Sequence, residues 1–480
     1  MLSQRTTESE GGAGDEAVLS AFLPAVATRE PREREPHGHG ALLRDCLGYL
    51  LSKGVPGFFG LISVPIFVSL IGIEEYGRLA VILPVLMALG GAGSGWLQQG
   101  ILRFHPATGP GSPSDSKSAS ESAFDRGSAF DRAVRLGTVW AVLGLGLSLL
   151  PILGALRYRL SVCGMVEIYG ALQLIYMVSL TRLQAQLQPR AVLRKEALRS
   201  CAGFALPVVL ILGLGQRSFS LVILGSAFGY LLPLLTPRRR LALSPAERAE
   251  RFSSRPEANR ILAELWRYGW AVGAWLMLCQ ALPVVGRSAI QRYSGYAQAG
   301  IYASLYEIAV RSLSLFASPV MQAAHPRIMR SWNAGDYGAA RRTIRQSILI
   351  QTLMFLPLEA AGLIFARPII RLILGTGDPA GNPAAGSLFP VLMLGGFLWQ
   401  IALLVHKPLE IMRRTKTMLC GMVGVVLIEM AGNYVLVPRF GMRSAGYVFL
   451  GGALAYVAFA AVCSRTLLYR PDDRLAAASA

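Results

Sequence analysis

The stretch LIGIEEYGRLAVIL, residues 70–83, places two glutamates, a tyrosine and two glycines between long apolar runs. A related stretch, RYSGYAQAGIYASLY, occupies residues 292–306 and again separates apolar runs. Each stretch has two glycines five residues apart: Gly72 and Gly77 in the first, Gly295 and Gly300 in the second. Glycine and polar residues between apolar segments indicate a turn. The same kind of turn is therefore predicted twice, 223 residues apart.

The composition of the chain explains what the apolar runs face. Of the 480 residues, 53% are hydrophobic and 16% are charged, and the mean hydropathy is +0.45. A soluble protein carries about 25% charged residues. The surplus of apolar side chains therefore indicates a protein surrounded by lipid.

Twelve segments have the length and composition of membrane spans, since a helix needs about 20 apolar residues to cross a bilayer. Eight are free of charged residues: 54–73, 79–102, 136–156, 200–216, 218–237, 268–286, 379–404 and 444–464. Four contain charges: 162–181, 297–321, 343–366 and 417–437. The two turns follow the first and the seventh span. The sequence thus predicts an all-α polytopic membrane protein with twelve transmembrane helices in two six-helix lobes, a plan common among transporters.

The organisation along the chain follows from these spans. Residues 1–45, rich in Glu, Arg, Gly and Pro, are predicted to be a disordered cytoplasmic tail. We expect the first lobe at 46–237, a basic cytoplasmic linker at 238–260, the second lobe at 261–470 and a short C-terminal tail at 471–480.

The positive charge has a membrane explanation. The net charge is +19, but with the N-terminus placed inside, 34 of the 47 Lys and Arg fall on the inward side. This bias is the positive-inside rule, so both termini are predicted to be cytoplasmic and no nucleic-acid partner is expected.

Residues typical of catalysis are missing from the sequence. No Walker, HExxH or GxSxG motif occurs, and the six cysteines are scattered without CxxC spacing. We therefore expect no catalytic residues, no cofactor and no metal site. A membrane glycosyltransferase or polymerase stays open as an alternative, although it would need acidic groups on a substantial outward loop.

Four stretches together resemble one family. They are KGVPGFFGLISVPIFVSLIGIEEYGRLAVI (53–82), LRFHP (102–106), RYSGYAQAGIYASLYEIA (292–309) and GNYVLVPRFGMRSAGYVF (432–449). They resemble the polysaccharide-export flippases, the O-antigen and exopolysaccharide (Wzx-type) branch of the MOP superfamily. The resemblance extends from about residue 50 to 465.

This resemblance implies a flippase of the bacterial inner membrane that moves undecaprenyl-pyrophosphate-linked oligosaccharide repeats between leaflets. It also implies membrane lipids, a glycan polymerase and export machinery as partners. A multidrug exporter or a peptidoglycan-precursor flippase of the same superfamily is the alternative transporter.

Charged residues in or near the spans are the candidate site residues, because burying a charge in a membrane costs about 2.5–3.5 kcal/mol even on a lenient scale. Five cations are predicted to bind the pyrophosphate: Lys53, Arg103, Arg287, Arg292 and Arg311.

Three carboxylates are predicted to couple transport to a proton or another cation: Glu307, Glu359 and Glu429. The last two are alone in their spans, and a lone buried carboxylate usually has a raised pKa. Glu307 lies four residues before Arg311, so the two share a helix face and are predicted to pair.

Overall fold

The computed structural model describes residues 39–104, 117–155, 158–186, 188–236, 255–375, 383–412 and 414–469. These residues form helices joined by short turns, with no strand among them. Most of the predicted N-terminal tail, most of the basic linker and the predicted C-terminal tail lie outside this part of the chain.

The first half of the chain forms six helices, here termed the N lobe. They are α1 (His39–Ile71), α2 (Ile73–Phe104), α3 (Lys117–Ala155), α4 (Leu160–Ala185), α5 (Pro189–Leu214) and α6 (Phe219–Leu235).

The second half, here termed the C lobe, begins with a helical stretch of 79 residues, Arg255–Asn333, which is broken at Gly295. We number its two parts α7, before Gly295, and α8, after it. The remaining helices are α9 (Tyr337–Ile364), α10 (Ala366–Leu374), α11 (Pro383–Val405), α12 (Lys407–Ile411), α13 (Thr415–Phe440) and α14 (Met442–Tyr469).

The predicted twelve-helix layout is confirmed. Within the described residues, ten helices are long and apolar enough to cross a membrane, and a shorter apolar helix spans Phe219–Leu235. Dividing the longest of the ten at Gly295 brings the total to twelve. Large apolar side chains such as Leu147 and Leu160 are 77% and 84% exposed, as expected for helices that face lipid tails.

The two predicted turns share one backbone conformation. Gly72, between α1 and α2, has a φ of 85°, and Gly295, between α7 and α8, has a φ of 84°. A side chain rarely adopts this left-handed region, which is open to glycine. The first glycine of each stretch is therefore required by the turn itself.

The second glycine of each stretch has another role, because the two turns pack against each other. A Cβ atom at Gly77 would overlap the carbonyl oxygen of Tyr296, and one at Gly300 would overlap the carbonyl oxygen of Ile73. The backbones of the two lobes thus approach each other in a nearly symmetric way. This end of the molecule is termed the turn end.

Helices α2 and α7 stay close along the rest of their length. Gly95 lies against Gly273, where an added Cβ would be 3.1 Å from the Cα of Gly273, and Gly269 lies against the backbone of Trp96. Small residues allow such close approach between membrane helices. The seam between the lobes is thus a backbone-to-backbone contact on the α2–α7 side.

Candidate functional site

Three charged side chains meet where the lobes face each other. Glu307 accepts a hydrogen bond of 2.6 Å from Nη2 of Arg287 through Oε1 and one of 2.8 Å from Nε of Arg311 through Oε2. Arg287 and Glu307 come from α7 and α8 and lie 20 residues apart, on either side of the break at Gly295. The predicted pairing of Glu307 with Arg311 is present, and Arg287 joins it.

This network connects the C lobe to both of the first two helices of the N lobe. Nη1 of Arg287 donates to the carbonyl oxygen of Ala80 in α2 over 3.0 Å. Nη1 of Arg311 donates to the carbonyl oxygen of Gly60 in α1 and to Oγ of Ser63 at 3.3 Å. The two arginines therefore hold the lobes together through backbone acceptors, while one carboxylate serves both guanidinium groups.

The two arginines of the network differ in exposure. The side chain of Arg287 is 2% exposed and also lies 5.1 Å from the ring centre of Tyr306. That of Arg311 is 38% exposed. Arg287, predicted to bind the pyrophosphate, is enclosed by Glu307, Tyr306 and the backbone of α2.

Arg311 reaches a cavity of about 230 Å³ inside the N lobe. Helices α1, α2, α4, α5 and α6 form its walls. Polar groups from Ser63, Ser200, Ser226, Tyr169 and Tyr230 line it together with aromatic and aliphatic side chains. A second cation, Arg199 of α5, also lines the cavity. One arginine of each lobe is therefore present at this cavity.

Arg199 was missed by the sequence analysis because it stands where the basic segment before the fifth span meets the apolar run. In the structure it lies inside α5, with its guanidinium 5.7 Å from the ring centre of Tyr230 and 6.0 Å from that of Tyr176. Its Nη2 donates to Oγ of Ser200 over 3.1 Å. Its position next to an apolar run, rather than among other arginines, was the only available signal.

Arg103 and Arg292, two of the other predicted cations, are not among the residues that line this cavity. Arg103 is exposed at the end of α2, 5.7 Å from the ring centre of Tyr268. Arg292 is exposed at the turn end, 5.9 Å from the ring centre of Tyr293. Lys53 lies in α1, but its side chain is outside the described part of the structure.

The two other predicted carboxylates both lie in the C lobe, and they differ in burial. Glu429 is 2% exposed, and its Oε1 has no hydrogen-bond partner among the described residues. It packs against Gly452, and Asn433, one turn later, donates to its backbone oxygen over 2.9 Å. Glu359 is partly buried, and its Oε2 likewise has no partner within the described part.

A third carboxylate, Glu167 in α4, was missed. It packs against α3 at Gly146, where an added Cβ would be 3.2 Å from Oε2, and its Oε1 has no partner among the described residues. The three lone carboxylates do not form a metal site: the described residues contain no cluster of three or more His, Cys, Asp or Glu that could hold a metal ion.

Comparisons with known proteins bear on this arrangement. The MatE family model matches residues 293–435. No curated protein matches the sequence. Among solved structures, an inward-facing multidrug resistance MATE family transporter of the MOP superfamily superposes with a TM-score of 0.64 at 12% identity, covering 87% of this chain and 97% of that chain.

Two further structures have similar folds. The lipid II flippase MurJ in an inward closed conformation gives a TM-score of 0.63 at 12% identity, with 88% of each chain covered. An outward-facing multidrug resistance MATE transporter gives 0.59 at 12% identity, covering 89% of this chain and 95% of that chain. The chain therefore has the fold of the MOP-superfamily transporters. The MatE model matches only part of the C lobe.

Proposed function

We propose that this protein is a flippase of the bacterial inner membrane that moves undecaprenyl-pyrophosphate-linked oligosaccharide repeats outward for exopolysaccharide or O-antigen assembly. The observation that carries the proposal is the position of Arg311, which connects the lobes and also lines the cavity. A cation at the interface of two lobes can bind an anionic headgroup and respond to lobe movement in the same step.

The physical problem in such transport is the charged headgroup, since the lipid tail can stay in the bilayer. Arginine binds phosphate oxygens through two parallel hydrogen bonds, and such bonds are stronger than those between neutral groups. In Arg311, Nε and Nη1 already donate to Glu307, Gly60 and Ser63, so we assign contact with the phosphate to Nη2. Arg287 is enclosed, so we assign it the role of positioning Glu307. We assign Arg103 and Arg292 to the path of the headgroup outside the cavity, and Lys53 stays a proposed ligand of the headgroup.

Energy for directional movement requires a second ligand, and we propose that Glu429 and Glu359 supply its site as proton or cation acceptors. Glu307 was also a candidate for coupling. Both of its oxygens already accept from guanidinium groups, so we assign it to the network instead.

A multidrug exporter is the second candidate, because a multidrug MATE structure superposes as well as MurJ does. The cationic cavity favours an anionic substrate over a cationic or neutral one, and therefore favours the flippase. A glycosyltransferase or polymerase is disfavoured by the transporter fold.

The proposal is tested by deleting the gene and locating the lipid-linked repeats. Repeats should accumulate in the cytoplasmic leaflet while surface glycan is lost and polymerase and export partners remain without substrate. Repeats that reached the outer leaflet at the normal rate would refute the flippase. Reporter fusions after residues 240 and 470 should be active in the cytoplasm, which checks the proposed orientation.

A further inference from the structure

A chain of polar side chains crosses the part of the C lobe that lies opposite the turn end. Nε1 of Trp275 in α7 donates to Oη of Tyr456 in α14 over 3.0 Å. Oη of Tyr456 lies 3.3 Å from Nδ1 of His406, which stands between α11 and α12. Side-chain hydrogen bonds therefore join two helices of the lobe to the α11–α12 turn.

This polar chain has one direction, because its first donor cannot reverse. An indole N–H only donates, so the hydroxyl oxygen of Tyr456 accepts from Trp275. The hydroxyl hydrogen is then available for Nδ1 of His406, and we assign it there. A neutral imidazole that accepts through Nδ1 has its own hydrogen on Nε2. The hydrogens of the polar chain thus point from α7 toward His406 and beyond it.

A partly exposed carboxylate stands at the outer end of the polar chain. Nε2 of His406 lies 3.9 Å from Oε2 of Glu410, and the two side chains are 3% and 36% exposed. Nζ of Lys407 donates to Oε2 of Glu410 and lies 3.2 Å from Nδ1 of His325, which is also partly exposed. Lys407 therefore holds the Glu410 carboxylate beside His406, where the buried interior meets the surface.

The buried end of the polar chain approaches Glu429. Its Oε1 has no hydrogen-bond partner among the described residues, and it lies against Gly452, one helical turn before Tyr456 on α14. Met422 and Val425 of α13 belong to the same packed cluster as Tyr456. Four residues of a helix rise about 6 Å, so one turn of α14 separates the carboxyl group from the polar chain.

We propose that this polar chain is the path by which a proton leaves Glu429 for the water opposite the turn end, which the proposed orientation places in the cytoplasm. The path rests on the proposed coupling role of Glu429.

The transfer conserves protons at every step. After a rotation of its side chain, Glu429 gives a proton to Oη of Tyr456, while Tyr456 gives its own hydrogen to Nδ1 of His406. Nε2 of His406 then releases a proton to Glu410, which passes it to water. Glu429 loses one proton, water gains one, and the groups between them end with as many as they had. The other titratable or charged groups that the described residues place beside the path are Cys279, His325 and Lys407.

The rate of proton exchange at Glu429 tests the path in the purified full-length protein in phosphatidylcholine nanodiscs. A laser flash on a caged proton lowers the pH, and time-resolved infrared spectroscopy follows the protonated carboxyl band that Glu429→Gln removes. Proton uptake uses the same path in reverse. Tyr456→Phe should slow the rise of this band about 100-fold, since a positioned proton-transfer group contributes about 10²–10⁴-fold. The final amplitude of the band should not change.

The matched control is Tyr447→Phe, which removes an exposed hydroxyl group from the same helix α14 and should leave the rate unchanged. Added imidazole should restore the rate in His406→Gly, which it would not do if His406 only packed. Glu410→Gln changes the partly exposed end of the path and should also slow the band, so the path can be judged even if Tyr456→Phe does not fold. An unchanged rate in folded Tyr456→Phe or in Glu410→Gln would overturn the path.

The outcome can be separated from that of the proposed function. Normal rates in these variants, with repeats still accumulating in the deletion strain, would remove the path and leave the flippase. Slow rates combined with normal repeat transport in the deletion strain would remove the flippase and leave the proton path. An infrared difference spectrum that is unchanged in Glu429→Gln would remove the path together with the coupling role of Glu429.

Discussion

The interiors of the N lobe and the C lobe differ in the charged groups that they contain. In the N lobe, Arg199 lines a cavity together with Arg311 of the C lobe. In the C lobe, Glu429 is buried with Oε1 unpartnered among the described residues. Yet the lobes begin with turns of the same sequence type and nearly the same φ angle at Gly72 and Gly295.

The comparison shows which features of the two lobes are alike and which differ. The turns are alike because both take part in one symmetric backbone contact, Gly77 with Tyr296 and Gly300 with Ile73. The interiors face no such constraint. We infer that the N lobe took on anion binding and the C lobe the coupling carboxylate, with the Arg287–Glu307–Arg311 network joining them.

The largest effect is expected from Glu307→Gln, which breaks the connection between the lobes. It leaves two guanidinium groups without their shared carboxylate, and removing one partner of a buried ion pair typically costs about 3–5 kcal/mol. Thermal unfolding of the detergent-purified protein should show this loss. The double variant Glu307→Gln with Arg311→Gln should be more stable than Glu307→Gln alone, and equal stability of the two would contradict a shared carboxylate.

The exchange Glu307→Arg with Arg311→Glu distinguishes this network from a simple pair. For an isolated pair the exchange would keep both charges matched. Here it places a new arginine beside Arg287, so we expect low membrane yield, as measured by fluorescence of a fused reporter. Normal yield would show that Arg287 does not depend on Glu307.

A smaller effect is expected from Gly77→Ala, which tests the shared turn. The added methyl group would overlap the carbonyl oxygen of Tyr296, and overpacking of this kind costs about 1–3 kcal/mol. Disulfide formation between cysteines introduced at Arg78 and Tyr296, which pack together, should become slower. The control Gly144→Ala, where no atom lies within 4 Å of the added Cβ, should leave cross-linking unchanged.

Glu429→Gln tests the role of the C lobe. It should stabilise the protein and slow transport. Replacing a buried, unpartnered carboxylate by a neutral amide should raise the free energy of unfolding by about 1–2 kcal/mol. Transport of lipid-linked repeats should slow and lose its dependence on pH, since glutamine cannot take up a proton. An unchanged rate and pH profile would make Glu429 a packing residue.

The smallest effect is expected from Glu359→Gln. This side chain is only partly buried, so its replacement should change the free energy of unfolding by less than about 0.5 kcal/mol. A pH-dependent loss of transport as large as that of Glu429→Gln would place the coupling group on α9 and weaken the contrast between the two lobes.

The sequence by itself determined the helices, the two turns and the pairing of Glu307 with Arg311. These features are local: a span needs about 20 apolar residues, a turn with positive φ needs glycine, and residues four apart share a helix face. The predicted twelve spans therefore correspond closely to the helices found, and the break at Gly295 falls where the glycine motif placed it.

Only the tertiary structure decided which charges form the site. Arg311 reaches the carbonyl oxygen of Gly60, 251 residues away in sequence, and Arg287 reaches that of Ala80, 207 residues away. Every residue has a backbone carbonyl oxygen, so the sequence does not reveal which of them accept these hydrogen bonds. Arg199, a residue beside a basic loop in the sequence, became a cavity residue only because five helices of the N lobe enclose the same space. The chemistry of a polytopic protein depends on how its helices pack, and hydropathy does not record that packing.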